Sequence, residues 1–204
     1  MSDKKNQKAD RIVEAALEIF KEKSFRDATI AEIAERASVA IGTIYEYFNS
    51  KEDLYFSIPN KTTVIFNKQL RLQLEGLYDP IEKVRKYIWF YLYFFEENPI
   101  YAELLLMELR VNRNFINSNY YQGARDATTI ILQIIKEGQE QGKIRDDINP
   151  FIIRNLILGT LEHVTTYWLI SGKKRKLTSN TKDFVNLIIS AITSKYQNDS
   201  DPID

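Results

Sequence analysis

The stretch TIAEIAERASVAIGTIYEYF, residues 29–48, holds two short helical patterns separated by a tight turn. Thr29 is a good N-cap, and Glu32 three residues on completes a capping box. Ile30, Ile33, Ala34 and Ala37 then form the buried stripe of a short helix. A connection at Ser38–Val39 leads to a second short helix, about Ala40 to Tyr47, which buries Ile44 and Phe48. Ahead of both, Ile12, Ala16, Ile19 and Phe20 lie on one face of a longer helix that runs from Ala9 to about Lys23–Ser24. Two short helices behind a longer one match a helix-turn-helix, whose second member enters the major groove of duplex DNA.

The residue types suit that reading. Ala34 and Ala37 are small and let the two helices cross closely. Gly42 sits on a helix of barely two turns, where it costs about 1 kcal/mol against alanine, so something is expected to approach the backbone there. Thr43 can reach a base edge or a thymine methyl. Tyr45 and Tyr47 carry hydroxyls suited to phosphate oxygens, and Lys51 is placed to hold a further phosphate. Bulk charge gives no help. The 204-residue chain balances 28 Lys+Arg against 28 Asp+Glu, and residues 1–56 alone sum to −2. Binding at this end must come from local geometry.

Working outward, helical periodicity continues along almost the whole chain, interrupted by few glycines and prolines, which predicts an all-α fold of about nine helices. Ser50 caps a fourth helix beginning at Lys51, and Pro59 kinks or breaks it before Thr63–Leu74. Asp79-Pro80, Asn98-Pro99 and Asn149-Pro150 open the fifth, sixth and eighth. The seventh runs from about Ser118 to Gln141, and the ninth from about Thr181 to Tyr196, with Asn198 to Asp204 expected to fray. The division expected is a DNA-binding unit at 1–50 and a helical body at 51–204.

Catalytic chemistry is poorly supplied. Without cysteine there is no thiol nucleophile or zinc-thiolate site, and the one histidine, His163, has no second ligand at metal-binding spacing. The seven glycines form neither a phosphate loop nor a dinucleotide fingerprint. The expectation is no enzyme, no metal and no cofactor. The longest apolar run, Tyr87–Phe95, is nine residues, far short of a membrane span, and the chain reads as soluble and cytoplasmic.

Residues 9–55 resemble the N-terminal domain of the TetR family of bacterial repressors. Ile30-Ala31-Glu32-Ile33-Ala34, Val39, Gly42-Thr43-Ile44-Tyr45, Tyr47-Phe48 and Lys51-Glu52-Asp53-Leu54 carry the likeness. The resemblance implies DNA contacts from Thr29, Ala40, Ile41, Gly42, Thr43, Tyr45, Tyr47 and Lys51. Two residues depart from the pattern. Ala40 stands where a capping serine is frequent, and Ile41 where lysine, arginine or proline often sits, so apolar contact with thymine methyls is expected to carry more of the specificity.

In the body, aromatics crowd the fifth helix and could either fill a core or line an apolar cavity. The residues expected at a ligand are Trp89, Tyr93, Phe94, Tyr101, Leu105, Arg110, Arg113, Tyr120 and Trp168. The eighth helix is apolar nearly all round and the ninth has one apolar stripe. Leu156, Gly159, Phe184, Leu187, Ile188 and Ala191 are therefore expected in a two-fold homodimer. Glu108-Leu109-Arg110 and residues 159–168, GTLEHVTTYW, resemble FadR-like TetR repressors of fatty-acid degradation. That likeness implies release from a palindromic operator by a small hydrophobic effector, a long-chain acyl-coenzyme A. Two other readings stay open on sequence alone: a multidrug-type regulator answering aromatic or cationic compounds, and a helical interaction module without a DNA role.

Overall fold

The structure, a computed structural model, describes residues 2–23 and 25–193, and these are helical with no strand among them. Helix α1 (Ser2–Glu22) begins earlier than the apolar pattern predicts, because the lysines and glutamine ahead of Ala9 are themselves good helix formers. Helices α2 (Ile30–Arg36) and α3 (Ile41–Tyr45) follow, α3 shorter than expected at its C-terminal end. The Thr29–Glu32 capping box forms as the sequence predicts. Ser38 makes the turn by adopting φ 53°, the left-handed region usually left to glycine. The Val39 amide then donates to the Ala34 carbonyl at 2.9 Å and the Ser38 amide to Glu35 at 3.0 Å, closing a Schellman motif.

Ser50 caps α4 (Lys51–Ser57) by accepting from the Asp53 amide. Pro59 then ends the ladder. With Ile58 and Pro59 both in helical dihedrals, the chain bends into α5 (Asn60–Leu74) rather than looping away. Helix α6 (Pro80–Glu97) is the axis of the body and packs against α5, α9 (Tyr121–Glu140), α10 (Pro150–Ile170) and α11 (Thr181–Thr193). A 3-10 turn, Leu177–Asn180, leads into α11. The last part of the expected ninth helix, and the tail 198–204, lie outside the described residues, as does Ser24.

The region between Pro99 and Tyr121 differs most from expectation. Helix α7 (Pro99–Glu103) passes directly into a π-helical turn, Leu104–Leu109, and a one-turn α8 (Arg113–Ile116) precedes α9. The Arg110 amide reaches back five residues to the Leu105 carbonyl at 3.0 Å, the wider ring of a π-helix. A run of LLLME gives no periodicity that could distinguish this from an α-turn.

Two apolar clusters result. One joins α1–α4 and draws in Leu109 and Phe115 from the body. The other surrounds α6, where Phe66 is ringed by Phe90, Tyr91, Phe94 and Phe95 at centroid distances of 5.0–6.2 Å, within the range for favourable aromatic pairs.

Packing and backbone strain give two expected outcomes. A methyl on Gly138 would sit 2.5 Å from Cδ1 and 2.7 Å from Cγ1 of the buried Ile144. Gly138→Ala should therefore lower the urea-unfolding free energy by about 1 kcal/mol or more, overpacking outweighing the gain in helix propensity. Ser38→Gly should raise it by roughly 0.5–1 kcal/mol by relieving the left-handed strain at an exposed position. An unchanged or more stable Gly138 variant, or a destabilised Ser38 variant, would contradict the geometry.

Candidate DNA-reading surface and effector cavity

Helix α3 is anchored by one side chain and presents the rest. Ile44 is fully buried, while Ile41 and Tyr45 are 48% and 53% exposed, with Gly42 between them and Thr43 half-buried. A methyl on Gly42 would meet nothing within 4 Å, and its backbone is not left-handed, so the fold itself gives no reason for glycine there. Ala40 is the N-cap of α3 and supplies no side-chain hydrogen bond, as its departure from the capping serine implies. Tyr47 is half-buried below this face, its ring 6.4 Å from Phe48.

The expected flanking contacts are differently engaged. The Thr29 hydroxyl accepts the Glu32 amide at 3.2 Å as a helix cap. Glu32 is ion-paired to Lys23, and that pairing, with the Thr29 amide and hydroxyl, holds its carboxyl near pKa 2. The Lys51 ammonium is turned inward, donating to the Ala28 carbonyl at 2.5 Å and to Arg26 at 3.3 Å, and lying over the Phe25 ring. Arg11 donates to the Ala37 carbonyl at 2.6 Å, and Arg36 pairs with Glu18 and Glu22. Several basic side chains of this unit thus hold its own helices together, and what α3 projects is apolar and phenolic.

The body encloses a cavity of about 70 Å³. Its walls come from α5 (Thr63, Phe66), α6 (Tyr87, Tyr91, Phe95), the π-turn region (Tyr101, Leu105, Leu106, Arg110), Phe115, α9 (Tyr121, Gly123, Ala124, Ala127, Thr128) and α10 (Leu158, Glu162). Of the expected ligand residues, Tyr101, Leu105 and Arg110 are there. The others are not. Phe94 is packed into the aromatic ring around Phe66, and Trp89 and Tyr93 stack on each other at 5.2 Å on the outer side of α6. Trp168 lines a separate open groove with His163, Tyr167 and residues 174–176, its indole donating to the Arg175 carbonyl at 2.6 Å. Arg113 is exposed on α8. Tyr120 packs against the N-terminal core, where burial, with Asp53 next, pushes its phenol up to about 12.

Sequence reasoning passed over Glu162, Thr63 and the α9 wall. The signals were present: Tyr87, Tyr91 and Phe95 recur every four residues on one face of α6. Gly123, Ala124 and Ala127 are small residues that leave room, and Glu162 is the one acid between Pro150 and Ile170. In the structure Glu162 pairs with Arg110 at the cavity wall, and burial, outweighing that pairing, raises its carboxyl pKa. Burial likewise pushes Tyr101 up to about 12.

The π-turn touches both units. Leu105, Leu106 and Arg110 face the cavity, Leu109 is fully buried in the N-terminal core, and Glu108 accepts from the Tyr55 hydroxyl of α4. Alongside, Asn114 donates to Glu52 at 3.0 Å, and Phe115 packs against Phe56 at 5.4 Å while also lining the cavity.

On the far side of α10, Ile152, Leu156, Gly159, Tyr167 and Ile170 fall on one exposed stripe, with Leu187 and Ala191 exposed on α11. A methyl on Gly159 would meet nothing within 4 Å. Phe184 is half-buried beside the open groove, and Ile188 points into the chain's own core at 5% exposure.

Comparison with known proteins agrees with this architecture. Residues 12–58 match the model of bacterial regulatory proteins of the tetR family, and residues 58–191 match the YsiA-like protein C-terminal region. The fatty acid metabolism regulator protein of Bacillus subtilis (strain 168) is 25% identical over 191 residues, covering 94% of this chain and 98% of that protein. Among solved structures, the fatty acid degradation regulator FadR from Bacillus halodurans superposes with TM-score 0.79 at 26% identity, over 92% of this chain and 97% of that one. The transcriptional regulator FadR from Bacillus subtilis, solved in complex with stearoyl-CoA, gives TM-score 0.79 at 25% identity, over 89% and 98%. With an N-terminal helix-turn-helix joined through a π-turn to a helical body, and both parts matched by family models, this chain belongs to the TetR family of transcriptional regulators.

Proposed function

We propose that this regulator is a repressor that binds a palindromic operator as a homodimer and lets go when a long-chain acyl-coenzyme A enters the cavity. The observation that carries the reading is the shared π-turn: one short segment supplies Leu105, Leu106 and Arg110 to the cavity and Leu109 and Glu108 to the DNA-binding unit. A small-molecule pocket typically needs about 300–1,000 Å³, against about 70 Å³ here, so an acyl chain enters only by pushing the lining helices apart. The π-turn is one of those walls. Its displacement pulls on α4 through Tyr55, and the ligand thereby favours a spacing of the two α3 helices that no longer fits the operator. Stearoyl-CoA in the Bacillus subtilis structure supports an acyl thioester as the effector class. The cavity also disfavours a cationic drug, since Glu162, the one acid on its wall among the described residues, is already paired to Arg110.

On the DNA side, the exposed Ile41 and Tyr45 flank a glycine that the fold does not require, which suits a backbone pressed close to a duplex groove with apolar contact to thymine methyls. The α10 stripe around Gly159 gives a second subunit a surface with room for close helix approach.

Two expected outcomes follow, both measured on duplexes selected by the purified protein from a randomised pool. Gly42→Ala should keep or raise the thermal midpoint, since the added methyl touches nothing, yet weaken duplex binding by roughly tenfold or more through a clash with DNA. Wild-type affinity in that variant would remove the groove contact. Tyr55→Phe should still bind the duplex but need about fivefold more acyl-coenzyme A for half-release, because the hydrogen bond to Glu108 is lost. An identical release curve would take that bond out of the coupling.

A further inference from the structure

We infer that the Tyr91 hydroxyl is the donor that binds the carbonyl oxygen of the ligand, and that the polar end of the cavity selects a neutral acyl ester or thioester over a free carboxylate. The inference rests on the acyl reading above and specifies which headgroup that site takes. Three tyrosines more than nine-tenths buried line the cavity: Tyr87, Tyr91 and Tyr101. Two have partners within the protein, Tyr87 donating to the Ala127 carbonyl at 3.2 Å and Tyr101 sharing a 3.0 Å hydrogen bond with Thr63. Tyr91, 6% exposed and stacked on Phe95 at 4.3 Å, makes no hydrogen bond among the described residues. The residue lines the cavity, and its hydroxyl is not among the side-chain atoms sealed from solvent without a partner, so an acceptor in the cavity can reach a donor that nothing in the protein occupies. Burial also keeps the group protonated, so it is available as a donor.

The surrounding charge decides which acceptor. The Tyr91 phenol lies in the field of Glu162, Arg110, Tyr87 and Tyr101, and among the described residues Arg110 is the one cation on the cavity wall. Arg110 is already paired to Glu162, so this end is formally neutral. A carbonyl placed there accepts from Tyr91 and leaves the pair intact. A carboxylate adds a second negative charge beside Glu162 with no free cation to meet it, and like charges at close quarters in a poorly solvated site are strongly unfavourable.

Calorimetric titration with oleoyl-coenzyme A, methyl oleate and oleate, the last two sharing one chain and differing in headgroup charge, tests this on the full chain. The wild type should bind methyl oleate more tightly than oleate. Tyr91→Phe, checked for an unchanged thermal midpoint, should weaken oleoyl-coenzyme A and methyl oleate alike by about fivefold to tenfold, and change oleate by less than about twofold. Glu162→Gln should strengthen oleate by roughly tenfold, since Arg110 is then free for a carboxylate. Equal ester affinity in the wild type and Tyr91→Phe, or a wild type that prefers oleate, overturns the assignment while leaving acyl-coenzyme A as effector. A wild type that binds none of the three overturns both.

Discussion

A turn of six residues cannot move one of its faces and leave the other behind. That constraint links the two parts of this molecule. Leu109 is fully buried among the helices that carry α3, while Leu105 and Leu106, on the same turn, wall the cavity. Close-packed interiors transmit displacement because they have few voids to absorb it. The π geometry matters here because it aims residues that an α-turn would separate differently: Arg110 toward Glu162 on one side, Glu108 toward Tyr55 on the other. Phe115 repeats the arrangement one element later, touching Phe56 and the cavity together. The connection from cavity to α4 is therefore a set of direct contacts, and these are what the proposed effector response would act through.

Electrostatics shape how such a regulator meets DNA. The N-terminal unit carries no net positive charge to attract phosphate at long range. Its cations are also used internally: Arg36 clamps α2 to α1, Arg11 closes on the turn, and Lys51 ties α4 to the 26–28 loop. These links hold a small domain rigid, which small domains need because they bury little apolar surface. In the proposed repressor, affinity for a duplex depends on shape and on the few groups at α3, and a modest change in the proposed spacing of two such units has a large effect because little nonspecific attraction compensates for it.

Legibility from sequence followed the length scale of the interaction. Caps, turns and amphipathic stripes are local, and so the Thr29–Glu32 box, the Ser50 cap, the proline starts of α6, α7 and α10 and the buried Ile44 were all readable. The π-turn was not, since LLLME is apolar whichever ring its hydrogen bonds close. The cavity was legible as a class of residue and not as a list. Trp89 and Tyr93 are as aromatic as Tyr87 and Tyr91, and only the neighbours of α6 decide which face turns inward. Lys51 shows the same limit: its position beside α3 suits a phosphate, but the Ala28 and Arg26 carbonyls, more than twenty residues earlier, hold it first.

Helical glycines separate internal needs from external ones. Glycine costs a helix about 1 kcal/mol against alanine, so each one inside a helix needs some compensating use. Gly138 has its use inside the chain, since Ile144 occupies the space of a side chain, and Gly123 admits the Thr63 methyl, which would lie 3.0 Å from an added Cβ. Gly42 and Gly159 have none: neither is left-handed and neither would crowd any atom if it were alanine. Both lie on exposed faces, one on the helix proposed to read DNA and the other on the apolar stripe proposed to meet a second subunit. A glycine that its own fold does not require is a cost that only another molecule can offset, and these two stand where the proposed operator and the proposed twin would touch.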